Sequence, residues 1–190
     1  RRVLFRSGLS SDQFYYWGTY RRYGGKKYLS VFSVSGGVRP FQFNPDNPVD
    51  PFVNSISSLR NEDNFLKMYA ANYVNSTFSK GVGKGLVLKG GIEYQDRIPF
   101  DNTSDASWEK SDDKSFSPNY PNEILSEQFR RHEALMLTVG FSYRPGSQYI
   151  ELPDRTINIG SKWPLFSMQY TKGINGLLGS DIDYDKWQTE

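Results

Sequence analysis

Few side chains in this 190-residue chain carry the chemistry that catalysis commonly uses. The sequence has no cysteine and one histidine, His132, with Glu133 directly after it. If the two lie on a strand, their side chains point to opposite faces and cannot act as a dyad. A Ser-His-Asp triad that uses His132 stays open, because a triad depends on spatial geometry and not on sequence order. The interpretation we favour is a histidine at the end of a strand near a loop.

Three alternating carboxylates and one glycine-rich run are the other motifs that resemble ligand sites. Asp181, Asp183 and Asp185 could offer oxygen ligands to Ca²⁺, but they lack the glycine and the distal glutamate of an EF-hand loop. One histidine without cysteine argues against a zinc site. The run G-V-G-K-G at 81–85 lacks the spacing and the hydroxyl residue of a phosphate-binding loop and predicts a turn. The sequence therefore predicts no catalytic residue, no metal site and no cofactor.

The most concentrated polar motif is E-L-P-D-R, which supplies Glu151, Pro153, Asp154 and Arg155. Two interpretations of it stay open. In the first, the motif is an inward-folded plug or docking element, held by an ion pair of Asp154 or Glu151 with an arginine such as Arg155 or Arg144. In the second, it is a loop at the rim of the fold that Pro153 fixes. We treat these four residues as a candidate structural or docking motif.

The elements that must position these residues are alternating strands. From Leu135 to Tyr143 every second residue is apolar, and small, mostly polar residues lie between them. Such a strand has one apolar face and one hydrated face. The segment 86–97 repeats this pattern, with Lys89 and Glu93 sharing the polar face. Two charges on one face are costly in a dry core and are tolerated in a water-filled lumen.

The connections between the predicted strands alternate in length. We expect strands at 14–23, 28–36, 65–80, 86–97, 130–144 and 165–172 and one that begins near Ile182, with a short helix at 52–59. The connections 24–27 and 81–85 are short, whereas 37–63 and 98–127 are long. Outer-membrane barrels alternate short periplasmic turns with long outer loops, and their strands need about 9 to 11 residues to cross. The pattern predicts an all-β fold, an antiparallel up-and-down meander of about 6–7 strands that forms a partial transmembrane β-barrel with long outer loops.

Composition narrows the function classes further. The net charge is +2 and no basic block is present, so the chain does not resemble a nucleic-acid-binding protein. No run approaches the roughly 18 apolar residues of a membrane helix. The mean hydropathy of -0.64 is compatible with a barrel, whose lipid-facing residues are spread over alternate positions. Aromatic residues near strand ends would form the girdles of such a barrel: Tyr94, Tyr143, Trp163, Tyr170 and Trp187. A soluble antiparallel sheet with one wet face remains the alternative that alternation permits.

The first seven residues, R-R-V-L-F-R-S, suggest a different origin from the rest. One possible coding of them resembles the end of a common short-read sequencing adapter. We therefore interpret residues 1–7 as an adapter artefact and expect residues 8–190 to be an incomplete domain. The alternative is a short basic strand end.

Several long strings resemble the DUF5686 proteins of Bacteroidetes. They are G-G-I-E-Y-Q-D-R-I-P at 90–99, P-N-Y-P-N-E-I at 118–124, Y-I-E-L-P-D-R-T-I-N-I-G-S-K at 149–162, and Y-T-K-G-I with G-S-D-I-D-Y-D-K-W between 170 and 187. The resemblance runs from about Phe14 to the end. It implies a large outer-membrane barrel, which in full-length members follows a signal peptide and a carboxypeptidase-regulatory-like β-sandwich. This chain would be an internal piece of that barrel.

Together, the pattern and the resemblance lead to one expectation. Residues 8–190 should form an incomplete outer-membrane β-barrel domain in the bacterial outer membrane, in contact with outer-membrane lipid and open to an envelope protein partner. Its role should be transport, binding or envelope biogenesis, without enzymatic activity. Two alternatives stay open: an outer-membrane hydrolase, which would need His132 near a serine or an aspartate, and a soluble β-sheet binding module.

Overall fold

A computed structural model describes residues 2–7, 14–25, 28–99, 107–108, 117–121, 129–153 and 156–190. Ten strands and one helix lie within these ranges: β1 Arg2–Ser7, β2 Phe14–Gly24, β3 Ser30–Gln42, α1 Pro51–Asn61, β4 Met68–Gly83, β5 Leu86–Ile98, β6 His132–Tyr143, β7 Gln148–Glu151, β8 Thr156–Gly160, β9 Phe166–Gly173 and β10 Tyr184–Thr189. Among the described residues, no helix has both the length and the apolar character needed to cross a membrane.

Eight of the strands form one antiparallel sheet in the order β1-β2-β3-β4-β5-β6-β9-β10. This order follows the chain except for β7 and β8, which pair only with each other. The predicted all-β meander is therefore confirmed. In the described part, β1 and β10 are the two edges of an open sheet, so the fold is a partial barrel and not a closed one.

β1 adds one strand to the number expected from the sequence. It pairs with β2 from Arg2 opposite Thr19 to Ser7 opposite Phe14. The interpretation of residues 1–7 as adapter sequence, and of 8–190 as the domain, stays a prediction.

The cross-strand register collects apolar side chains on one side of the sheet, here called the apolar face. For example, Phe78 lies opposite Gly90 and Gly90 opposite Val139, while Ile92 lies opposite Leu137. These side chains are 39% to 56% exposed: Phe32, Val74, Phe78, Leu88, Ile92, Leu137, Val139 and Phe141. The sheet thus presents much of its apolar surface to the outside.

The other side, here called the polar face, lines a cavity of ≈ 880 Å³. Side chains from seven strands, β2 to β6 with β9 and β10, contribute to the lining. They include Arg21, Lys89, Glu93 and Gln169, and across β6 and β9 the Thr138 and Thr171 hydroxyls lie 3.2 Å apart. A soluble sheet covers its apolar side and hydrates its polar side. Here the apolar side is exposed instead.

The helix α1 interrupts the long connection between β3 and β4, close to the predicted 52–59. Asp50 caps its start, where one carboxylate oxygen accepts from the Phe52 and Val53 amides at 2.8 and 3.2 Å. The helix ends at Glu62, whose φ of 60° is left-handed and whose amide donates to the Ser58 carbonyl at 3.0 Å. Phe52 and Val53 are 72% and 60% exposed, so the helix does not pack its apolar side chains against the sheet.

Asparagine side chains join the two long connections at this end of the sheet. The Asn64 amide donates to Asn119 Oδ1 at 2.5 Å and accepts from the Asn54 amide at 3.0 Å. The Asn119 carbonyl accepts from the Met68 amide at 3.0 Å, at the first residue of β4. Asn119 belongs to the P-N-Y-P string of the second long connection, and it is 9% exposed. The two long connections are therefore interlocked beside the start of β4.

The connection between β9 and β10 packs against the start of β6. Ser180 is 1% exposed, and its hydroxyl accepts from the Leu135 amide at 3.0 Å. The Asp181 amide donates to the Glu133 carbonyl at 3.1 Å. Leu135 is 2% exposed for this reason, although it shares a face with Leu137.

Candidate functional site

The predicted E-L-P-D-R motif begins at the end of β7, in a hairpin of β7 and β8 that the sequence did not predict. Glu151 is the last residue of β7 and lies opposite Thr156, the first residue of β8. Pro153 is exposed. Asp154 and Arg155 lie outside the described residues, so the proposed ion pair and its alternative, a rim loop, both stay predictions.

The hairpin of β7 and β8 is attached to the end of the sheet that carries the short turns. The Tyr149 hydroxyl accepts from the Gly85 amide at 2.8 Å, and the Arg144 amide donates to the Gly85 carbonyl at 3.0 Å. The Tyr149 ring meets Tyr28 edge to face at 6.0 Å. Tyr28 precedes β3, so one tyrosine from the hairpin contacts both neighbouring turns. The hairpin of β7 and β8 therefore lies at the end of the sheet that carries the short turns.

The only histidine lies on the polar face, opposite Arg97. Its Nδ1 atom is 3.0 Å from the Arg130 carbonyl oxygen, and its ring packs edge to face on Phe129 at 5.0 Å. These described contacts hold His132 at the start of β6 and include neither a serine nor a carboxylate, as a triad would require. They match the interpretation as a strand-end histidine.

Two of the three alternating aspartates contact a lysine. Lys172 Nζ donates to Asp183 Oδ1 at 2.7 Å and to Asp185 Oδ2 at 3.1 Å. The Tyr170 hydroxyl also donates to Asp185, and its ring packs on Trp187 at 4.5 Å. In the described part of the chain, no group of three or more histidine or acidic side chains is arranged to hold a metal ion.

Alternate residues of β5 form a hydrogen-bonded row on the polar face, here called the polar ladder: Glu93, Gln95 and Arg97. Asn75 Nδ2 donates to Glu93 Oε2 at 2.6 Å, and the Gln95 amide donates to the other Glu93 oxygen. Gln95 Oε1 accepts from the Tyr69 hydroxyl at 3.1 Å and from Arg97 Nε at 2.8 Å. Each polar group of Gln95 is thereby fixed by a neighbour of defined position.

Two arginines and three aromatic rings continue the ladder towards the long connections, and we call this group the arginine-aromatic stack. The Arg39 guanidinium carbon lies 4.3 Å from the Phe41 ring centroid and 5.0 Å from that of Tyr73. Phe41 stacks on Tyr69 at 5.7 Å with 14° between the planes. The Arg97 guanidinium carbon lies 5.1 Å from the Tyr69 ring. Cations on ring faces at such distances attract the rings electrostatically.

The sheet register places the two arginines in one cross-strand row. Arg39 of β3 lies opposite Ala71 of β4, and Ala71 lies opposite Arg97 of β5. Ala71 is 0% exposed, and its neighbours on the same face, Tyr69 and Tyr73, are 6% and 5% exposed. Ala71 is small and does not line the cavity, whereas both arginines do.

An ion pair joins the connection after β3 to the far edge strand. Asp46 accepts from Lys186 Nζ at 2.5 Å and from Gln188 Nε2 at 3.0 Å, and both donors belong to β10. The hydrogen bond from Lys186 lowers the pKa of the Asp46 carboxyl. The connection after β3 therefore reaches across the cavity to the edge strand β10.

Charged side chains end the apolar face at the side of the long connections. Asp96 lies opposite Glu133, one position beyond the last apolar pair on that face. Asp96 accepts from Arg131 through both oxygens, at 2.8 and 2.7 Å, and from Asn72 at 3.1 Å. The Asp96 carboxylate raises the pKa of Arg131. The apolar face is therefore a band with charged residues at its margin on the side of the long connections.

Sequence reasoning found part of this site. It placed Glu93, Gln95 and Lys89 on a polar face, because they alternate with apolar residues. It missed Arg39 and Phe41, which lie in a segment with glycine and proline that was interpreted as a loop. A signal was present, since V-R-P-F-Q continues the alternation of β3.

Comparison with known families identifies the chain. The family model described as "Family of unknown function (DUF5686) C-terminal domain" matches residues 2–190. The chain belongs to this family, and the prediction made from its sequence strings is confirmed. No curated protein and no solved structure matches the chain.

Proposed function

We propose that this DUF5686 C-terminal domain is a wall segment of a bacterial outer-membrane β-barrel. In this function the apolar face contacts outer-membrane lipid, and the polar face lines a water-filled lumen. The domain has a binding, transport or envelope-biogenesis role and no enzymatic activity of its own.

The observation that carries this proposal is the outward exposure of the apolar face. Val74, Ile92, Leu137 and Val139 are 56%, 48%, 43% and 49% exposed at the centre of the sheet. A contiguous apolar surface of this kind is uncommon on a monomeric soluble protein and usually marks an interaction surface or a membrane contact. The opposite face holds the charged and amide side chains that a soluble sheet would turn to solvent.

The lengths of the strands and the margins of the band support the same function. β5 has 13 residues and β6 has 12, which exceeds the roughly 9 to 11 residues that a tilted strand needs to cross the hydrocarbon core. Asp96 and Glu133 lie where the apolar residues end, and Tyr143 lies at the other end of β6. Aromatic residues at the margins of an apolar band are typical of outer-membrane barrels.

The experiment that tests the proposal is a detergent-partition assay on the full chain. We expect the protein to stay folded only with detergent or lipid and to partition into the detergent phase. Its far-ultraviolet circular dichroism should show β-structure there. Recovery of a folded monomer from the aqueous phase would contradict the proposal and favour a soluble binding module.

A further inference from the structure

We propose that Arg39 and Arg97 form a binding site for an oxyanion group, a phosphate or a carboxylate, on the polar face. This site assigns a ligand class to the proposed barrel. It rests on the proposed function, because it requires that the lumen be filled with water.

Position is the first argument. Arg39 and Arg97 lie on strands β3 and β5 with only Ala71 between them in the row. Two strand spacings separate their Cα atoms by about 9–10 Å. Both long side chains line the cavity, whereas Ala71 is 0% exposed and does not. The two arginine side chains therefore line the same cavity from either side of Ala71.

Charge is the second argument. Among the described residues, neither arginine has a carboxylate oxygen within 4.0 Å, although Lys172, Lys186 and Arg131 all form such pairs. The acidic group of the ladder, Glu93, accepts from two neutral amides instead. Two like charges in a partly dry wall repel each other, and an anion between them would remove that repulsion.

Both arginines have N–H donors without a hydrogen-bond partner among the described residues. Arg39 Nε is buried and has no hydrogen-bond partner in the described structure. Arg97 donates Nε to Gln95 and Nη2 to Met136 Sδ at 3.8 Å, so part of its donor set remains. A guanidinium that lies on a ring face keeps its N–H groups in its own plane, where they can bind both oxygens of a carboxylate or phosphate.

The surrounding charge favours an anion and not a neutral sugar. Arg21 and Lys89 also line the cavity, so the lining carries more cationic than acidic side chains. Cavities lined by one sign of charge concentrate ions of the other sign. The ring faces that could stack on a sugar are occupied in this site, since Arg39 covers Phe41 and Arg97 lies over Tyr69.

The test measures binding of radiolabelled inorganic phosphate to the detergent-solubilised full chain at low ionic strength, with succinate as the competing dicarboxylate. We expect Arg39→Gln and Arg97→Gln each to weaken binding by about tenfold to a hundredfold, because each removes a charge-assisted hydrogen-bond donor. Arg21→Gln is the matched control, a cavity arginine on β2 that lies outside the stack, and it should weaken binding by about threefold or less through the screened field. Arg39→Lys keeps the charge and the ring contact but loses the planar fork, so its affinity should fall between wild type and Arg39→Gln.

Each result has a defined meaning. If succinate displaces phosphate, the site accepts both oxyanions, and if it does not, the site selects phosphate. Absence of binding of both anions by wild type would overturn the inference, as would equal losses for Arg21→Gln and Arg39→Gln. Near-ultraviolet circular dichroism reports whether the glutamine variants are folded. If they are unfolded, the phosphate affinity of Arg39→Lys tests the inference in their place. If the chain needs detergent but binds neither anion, only the anion site is contradicted. If the chain folds without detergent, the proposed function is contradicted.

Discussion

Arginine substitutions at two adjacent residues of β6 distinguish a membrane-facing sheet from a soluble one. Val139 lies near the middle of the strand on the apolar face, 49% exposed, opposite Gly90 and Tyr170. Thr138 points to the polar face, where its hydroxyl lies 3.2 Å from that of Thr171. Val139→Arg should destabilise the folded protein by about 2–4 kcal/mol in lipid, the cost of arginine near the bilayer midplane. Thr138→Arg should cost about 1 kcal/mol, mainly from the lost hydrogen bond, because the lumen hydrates its charge.

The assay is reversible urea unfolding of the two variants in phospholipid vesicles, followed by tryptophan fluorescence. A difference of about 1–3 kcal/mol between them corresponds to roughly a fivefold to 150-fold difference in the folding equilibrium. Tyr143→Arg is a depth control at the end of the strand and should cost about 0–1 kcal/mol. In a soluble sheet the order would reverse, since an exposed Val139→Arg is nearly neutral and a charge on the packed face is costly. That reversed order would refute the assignment of the two faces.

Three further predictions concern the contacts that hold the connections. Asn119→Ala should destabilise the interlock of the long connections by about 1–3 kcal/mol, because it removes the acceptor of the buried hydrogen bond from Asn64 Nδ2, and should speed amide hydrogen exchange after α1. Tyr149→Phe removes the acceptor of the Gly85 amide. The amide hydrogens of the hairpin of β7 and β8 should therefore exchange about tenfold faster, while the exchange rates in β5 and β6 stay unchanged. Lys186 lowers the pKa of Asp46, so this ion pair contributes above the ordinary value of 3.8 and is lost as the pH falls through the lower folded value. The rate of amide hydrogen exchange in the connection after β3 should therefore rise only below that pH, and Asp46→Asn should abolish the rise. A rise between pH 5 and 7 would contradict the role of the Asp46–Lys186 ion pair.

The strands that the sequence predicted best are those whose two faces differ most. β5 and β6 alternate apolar residues with small or polar ones along most of their length, and their observed bounds differ from the predicted ones by at most two residues. β3 was predicted to end at Gly36 but continues to Gln42. Gly37 has a φ of 142°, and a Cβ there would lie 2.1 Å from the Tyr16 carbonyl oxygen. That glycine permits close approach of β2 and does not end the strand, and sequence alone does not separate these two roles.

The hairpin of β7 and β8 escaped prediction for a different physical reason. Its strands have 4 and 5 residues and pair only with each other, so they need no strict alternation. Ile150, Ile157 and Ile159 are 49%, 40% and 55% exposed. The Tyr149 hydroxyl accepts a hydrogen bond from the sheet, and a tyrosine in a mixed connection does not indicate its partner. The candidate site was only half predicted because Arg39 depends on the extension of β3.

Strand β5 contributes side chains both to the apolar face and to the arginine pair, so its register with the neighbouring strands must be fixed. On β5, Ile92 faces outward and Glu93 inward, and a shift of one residue would exchange lipid-facing and lumen-facing side chains. The extra residue in the pairing of β4 with β5 lies between Gly81 and Gly83, next to the turn. A bulge at that point leaves the register of the central rows unchanged. At the other end, the Ser180 hydroxyl accepts from the Leu135 amide and so holds the connection between β9 and β10 against the start of β6. The arginine pair and the apolar band therefore depend on the same two fixed strand ends, and a change that shifts either end should disturb anion binding and membrane stability together.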